Sequence, residues 1–141
     1  MIDHFTLTVS DLAASRKFYD QALAPLGYRT RMDYGEVIGI GDDKKPYFWL
    51  RGGGKTPSLP MHIAFIAKDR PAVDAFYKAA LAAGAQDDGP PGVRKHYHPN
   101  YYGAFVIDPD GHPIEAVCHA PATAAKKKAA AKKVPAKKKR K

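Results

Sequence analysis

Cysteine is nearly absent from the chain. The one thiol, Cys118, has no partner for an intramolecular disulfide and leaves no room for a cysteine-based zinc site. Long apolar runs are missing too: nothing approaches the roughly 18 to 20 residues of a membrane-spanning helix. The amino terminus opens on Asp3 and His4, where a secretory leader would carry a basic and then an apolar segment. These absences lead us to expect an unstapled, soluble, cytoplasmic protein with no membrane partner. Core material is plentiful, because 45% of the 141 residues are hydrophobic and 11% aromatic, which suits one domain of ordinary size.

Acidic residues are missing from the end of the chain. Residues 121–141 hold ten Lys or Arg and no Asp or Glu, whereas residues 1–120 hold thirteen basic and fourteen acidic residues. The net charge of +9 therefore belongs to the terminal segment. That segment is almost wholly Ala, Lys and Pro, with no large apolar side chains to offset an ordering entropy of about 1 to 2 kcal/mol per residue, so a disordered tail is expected. Lys126, Lys127, Lys128, Lys132, Lys133, Lys137, Lys138, Lys139, Arg140 and Lys141 would neutralise phosphates without reading bases. Non-specific nucleic-acid binding, and with it nucleoid association, is one expectation for the tail; solubilisation or targeting is the other. The body, residues 1–120, should fold without it.

The body repeats itself. A shift of 58 residues lays His4 on His62, Asp11 on Asp69, Phe18-Tyr19 on Phe76-Tyr77 and Ala22-Leu23-Ala24 on Ala80-Leu81-Ala82 without a gap. Each copy opens with an alternating strand-like run, His4 to Val9 or His62 to Ala67. A helix follows, capped by Ser10 or Asp11 in the first copy and by Asp69 before Arg70-Pro71 in the second. The remaining strands are expected at Tyr28 to Met32, Glu36 to Ile40 and Tyr47 to Leu50, then at Tyr101 to Ile107 and Ile114 to Cys118, with Gly89-Pro90-Pro91-Gly92 as a loop. Two tandem βαβββ modules result, at about 1–56 and 60–119, joined by a glycine-rich linker that lacks the Lys-Ser/Thr ending of a phosphate loop.

This paired module, with His opening each copy, Phe-Tyr in each helix and the run Tyr102-Gly103-Ala104-Phe105-Val106-Ile107-Asp108-Pro109-Asp110-Gly111-His112-Pro113-Ile114-Glu115, resembles the vicinal oxygen chelate superfamily. That group contains glyoxalase I, fosfomycin-resistance proteins, extradiol dioxygenases and bleomycin-resistance proteins. The resemblance covers residues 1 to about 119. It implies an α+β fold whose modules form a cupped mixed sheet, a homodimer, and a divalent metal (Fe, Mn, Zn or Ni) held by His4, His62 and Glu115. A fourth family position falls on Phe48, so the carboxylate that glyoxalase I has there is missing. Two imidazoles and one carboxylate leave coordination positions open for a chelating or oxyanionic substrate. The activity implied is that of a glyoxalase-like, metal-dependent enzyme acting on a small oxygen-rich or electrophilic molecule, as a lyase, isomerase, thiol transferase or dioxygenase. The alternatives are a non-catalytic binding or resistance protein on the same fold, in which the histidines only hydrogen-bond a ligand, and a DNA-tethered protein acting through its tail.

Strand alternation divides the remaining candidates. His4 shares a face with Thr6 and Thr8, and Glu115 shares one with Val117, whereas Phe5, Leu7 and Val9 form an apolar face suited to packing under a helix. Phe48 is either a pocket wall or ordinary core. Arg94, Lys95, His96, His98, Tyr101 and Tyr102 form either a lid that holds an anionic substrate or a plain surface loop; His98 and Tyr102 are the catalytic candidates and Thr6, Arg94 and His96 the substrate-pocket ones. His112 and His119 are expected to be exposed, and Cys118 to be a small buried packing residue.

Overall fold

A computed structural model of the chain describes residues 1–56 and 59–122. The first module runs β1 (Phe5–Thr8), α1 (Leu12–Ala22), β2 (Arg29–Asp33), β3 (Val37–Gly41) and β4 (Pro46–Arg51). The second runs β5 (Ile63–Ile66), α2 (Arg70–Ala82), β6 (Gln86–Val93), β7 (Tyr102–Ile107) and β8 (Pro113–Cys118). Two four-stranded mixed sheets result, ordered β1-β4-β3-β2 and β5-β8-β7-β6, with the first strand of each module parallel to the last. The first strands are thus edges of separate sheets.

The helices start where the capping chemistry dictates. Asp11 accepts from the Ala14 amide and Asp69 from the Ala72 amide, both at 2.9 Å, and Pro71 occupies the first turn of α2, where its missing amide proton costs nothing. Each helix buries one stripe: Phe18, Tyr19 and Ala22 in α1, and Val73, Phe76 and Ala80 in α2. The two helices pack on each other as well as on their own sheets. Leu7, Ile38, Ile40, Phe48 and Leu50 from one sheet and Ile63, Ala104, Val106, Ile114 and Ala116 from the other join them in one core. Each large side chain buried there contributes roughly 1.5 to 3 kcal/mol. The two helices and the helix-facing sides of both sheets thus share one core.

Two expectations change here. Gly89 to Gly92 is not a loop but part of β6, with register shifts on both sides of Gly89. Proline is tolerated because β6 is an edge strand and owes no amide to an outer neighbour. His112 is 2% exposed: the Asp108-Pro109-Asp110-Gly111 turn folds it inward, where its Nδ1 accepts from the Met61 amide at 2.8 Å. Cys118 is buried in the core as expected. The linker positions 57 and 58 and the basic segment 123–141, with its ten cations, lie outside the described residues.

Candidate functional site

Glu115 stands on the open face of the second sheet, opposite Ala64 on β5 and Phe105 on β7. It is only 2% exposed, so its charge needs partners. His62, just before β5, brings Nε2 to 3.0 Å from Oε2, and the Tyr101 hydroxyl donates to Oε1. Gly103 makes room for both groups, since a Cβ there would lie 3.0 Å from Oε1 and 3.2 Å from the Tyr101 ring. Half of the His62 side chain faces solvent, which leaves the imidazole accessible beside a buried carboxylate.

A second cluster adjoins Tyr101. The Asn100 amide donates to His98 Nδ1 at 3.0 Å, which leaves the ring proton on Nε2, and that atom lies 2.7 Å from Nδ1 of His119. Both rings flank Tyr101, at 5.7 and 5.2 Å between centroids. His98 thus ties the loop between β6 and β7 to the end of β8. His96 is exposed and lies against Tyr97 at 4.2 Å.

The other sequence candidates stand elsewhere. Tyr102 points to the helix side, where its hydroxyl donates to Asp74 of α2 at 2.7 Å and the Arg70 guanidinium lies over its ring. Alternation along β7 explains this: Tyr101, Gly103 and Phe105 share the open face, and Tyr102 belongs to the other. Tyr101, on the same face as Phe105, is the tyrosine that reaches Glu115. Phe48 packs beneath α1, 4.9 Å from Tyr19 between ring centroids, and also lines an apolar cavity of about 460 Å³ between the modules, together with His4, Phe5, Tyr28 and Phe65. Thr6 is exposed on the open face of the first sheet. His4 pairs with Asp3 at 2.8 Å, and Lys45 on the same carboxylate, helped by His4, holds the Asp3 carboxyl below the usual range.

The phenols carry a pH dependence. Burial first, then the bond to Glu115, pushes the Tyr101 hydroxyl well above the ordinary phenol range. Burial and then Asp74 push Tyr102 up to about 12, and burial and then Asp108 raise Tyr19. Raised folded-state values mean that stability is fully present below about pH 10, where unfolded phenols are still neutral, and is lost as pH rises towards 12 and beyond. In an absorbance titration at 295 nm, Tyr19, Tyr101 and Tyr102 are expected to ionise last among the eight tyrosines, and to do so together with unfolding. Ionisation of all eight as one ordinary group near pH 10 would contradict these placements.

Whether the donor set suits a divalent ion can be judged from its spacing. Two ligands about 2.1 Å from one ion and at right angles stand about 3.0 Å apart, which is the His62–Glu115 separation. The pair fits. Among the described residues, however, no three His, Cys, Asp or Glu side chains gather to hold a metal.

A sequence profile of the Glyoxalase/Bleomycin resistance protein/Dioxygenase superfamily matches residues 1–116, and the chain belongs to that superfamily. Its members typically bind a divalent metal and small-molecule substrates and often form dimers. A crystal structure of a glyoxalase/bleomycin resistance protein from Albidiferax ferrireducens T118 is similar at 27% identity, with a TM-score of 0.67 over 82% of this chain and 95% of that one. A glyoxalase/bleomycin resistance protein/dioxygenase family enzyme from Burkholderia phytofirmans PsJN shares the fold at 20% identity and a TM-score of 0.65, over 82% and 96% of the two chains. A glyoxalase-related enzyme from Fulvimarina pelagi does so at 22% and 0.62, over 83% and 86%. No curated protein matches by sequence. Among the described residues no helix is long and apolar enough to cross a membrane.

Proposed function

We propose that the protein is a metal-dependent, glyoxalase-like enzyme acting on a small oxygen-rich or electrophilic molecule, with His62 and Glu115 as two ligands of a divalent ion. The observation that carries this reading is the buried Glu115 carboxylate with an accessible imidazole 3.0 Å away on an open sheet face. When bound, the ion polarises a carbonyl or stabilises an enolate. The chain's own residues do the rest. Glu115 orients His62, and Tyr101 keeps its proton and fixes the second carboxylate oxygen.

The third ligand in this reading is His4 of a second copy. Within one chain His4 bonds to Asp3 and His62 to Glu115, and among the described residues the three site side chains do not gather about one point. A homodimer that lays the first sheet of one copy over the second sheet of the other closes a cup at each of two equivalent positions. Metal content and sedimentation of the purified protein test this together: a dimer retaining about one divalent ion per chain supports it, and a metal-free monomer refutes it.

The terminal charge supports an added property of the same protein. Ten cations in residues 121–141 point to non-specific nucleic-acid binding, with a salt slope of about −0.9 per phosphate engaged. Deleting these residues is expected to abolish retention on DNA at low salt. Equal retention of full-length and 1–120 protein would remove the idea.

A further inference from the structure

Beside the His62–Glu115 pair the fold seats an arginine that has no anionic partner. The Arg94 guanidinium stacks over the Phe105 ring at 5.5 Å and donates from one Nη to the Pro90 carbonyl at 2.6 Å. The seat is cut by two glycines. A Cβ at Gly92 would lie 2.8 Å from one Nη, and a Cβ at Gly89, where φ is +149°, would lie 3.4 Å from the other. Gly89-Pro90-Pro91-Gly92 therefore serves the arginine: the glycines clear the space, and Pro90 presents its carbonyl. The Arg94 amide also bonds to the Tyr101 carbonyl at 2.8 Å, which fixes the backbone on the same loop that carries the Glu115 partner.

This placement leaves most of the guanidinium unused. Its five N–H donors include several still free, and among the described residues no carboxylate lies within ion-pairing distance. A surface arginine without a role keeps its rotamer entropy; this one is held by a ring, a carbonyl and two cleared positions. Phe105 relates it to the site, because the same ring is 6.2 Å from that of His62 and pairs across the sheet with Glu115.

We infer that Arg94 binds the carboxylate of a small organic acid. The inference rests on the proposed function in taking that acid to be the substrate, with the rest of the molecule directed to the His62–Glu115 side of Phe105. A carboxylate suits the seat, because one planar guanidinium matches its two oxygens.

The test is isothermal titration of the full-length protein, as purified and after treatment with a chelator, with pyruvate, methyl pyruvate and inorganic phosphate, on wild type, Arg94→Gln and Arg94→Lys. Wild type is expected to prefer pyruvate to methyl pyruvate by about tenfold or more, the worth of one charge-assisted pair. Arg94→Gln should bring that ratio close to one with methyl pyruvate binding unchanged, and Arg94→Lys should restore only part of it. Unchanged melting temperatures confirm that the variants fold. A ratio that survives in Arg94→Gln, a preference for phosphate over pyruvate, or no saturable pyruvate binding would each overturn the inference. An Arg94-dependent ratio that persists without any metal would leave Arg94 in place and count against the metal reading alone.

Discussion

Asp108→Ala is expected to destabilise the folded chain by about 3 to 5 kcal/mol and to lower its melting temperature by roughly 10 to 20 °C. Asp108 is 5% exposed and sits in the turn between β7 and β8. Its carboxylate accepts from the Tyr19 hydroxyl at 2.5 Å, the Asp110 amide at 3.0 Å and the His112 amide at 2.8 Å. Removing it leaves three donors in the interior without an acceptor, and each costs about 1 to 3 kcal/mol. The effect also crosses the molecule. Tyr19 belongs to α1, and the neighbouring Asp110 accepts from the amide and hydroxyl of Ser10, so this turn of the second module clasps the first. Tyr19→Phe should cost much less, about 1 kcal/mol, since it removes one bond and leaves the carboxylate two others. Urea denaturation checks both values. A loss below about 1 kcal/mol for Asp108→Ala would show that the clasp does not hold the modules together.

His62→Ala and Glu115→Gln are each expected to weaken divalent-metal affinity by at least about a hundredfold while the fold persists. His62 is half exposed and its loss empties no core position. Glutamine keeps the shape of Glu115 and an acceptor for Tyr101, but not the charge that a cation requires. Tyr101→Phe should fall between these variants and wild type, at about tenfold, because the phenol touches the carboxylate and not the ion. Competition against a chromophoric chelator measures all three. Equal affinity across the series would place the metal elsewhere or remove it.

Much of the fold is legible in the sequence, for a physical reason. Period-two alternation and helix capping are local, so the repeat, the Asp69 cap, the choice of Ser10 or Asp11 for the other cap, and the division of β1 into a His4-Thr6-Thr8 face and a Phe5-Leu7-Val9 face follow from neighbouring residues alone. The family resemblance named His62 and Glu115 together with His4, and the first two stand within hydrogen-bond distance. The arrangement of the two modules did not follow. Whether two amphipathic units join edge to edge or helix to helix depends on complementary surfaces such as Tyr19 with Asp108 and Phe48 with Phe65, which no periodicity reports. The burial of His112 and the strand through Gly89-Pro90-Pro91-Gly92 were hidden for a similar reason. Turn-forming residues mark a break in regular structure, but an edge strand with shifted register tolerates them too. The Arg94 seat needed coordinates outright, because it consists of absent side chains.

The most direct test of a metal site shared between two copies is complementation. Full-length His4→Ala and His62→Ala proteins, each purified free of metal, are mixed, allowed to exchange subunits and assayed for bound divalent ion. In a mixed dimer, one site combines the intact His4 of one chain with the intact His62 and Glu115 of the other, and the second site lacks both histidines. Each variant alone should retain almost no metal, and an equal mixture should recover about a quarter of the wild-type amount, since half of the dimers are mixed and each carries one of two sites. No recovery on mixing, or full retention by His4→Ala alone, would contradict a site built from two copies.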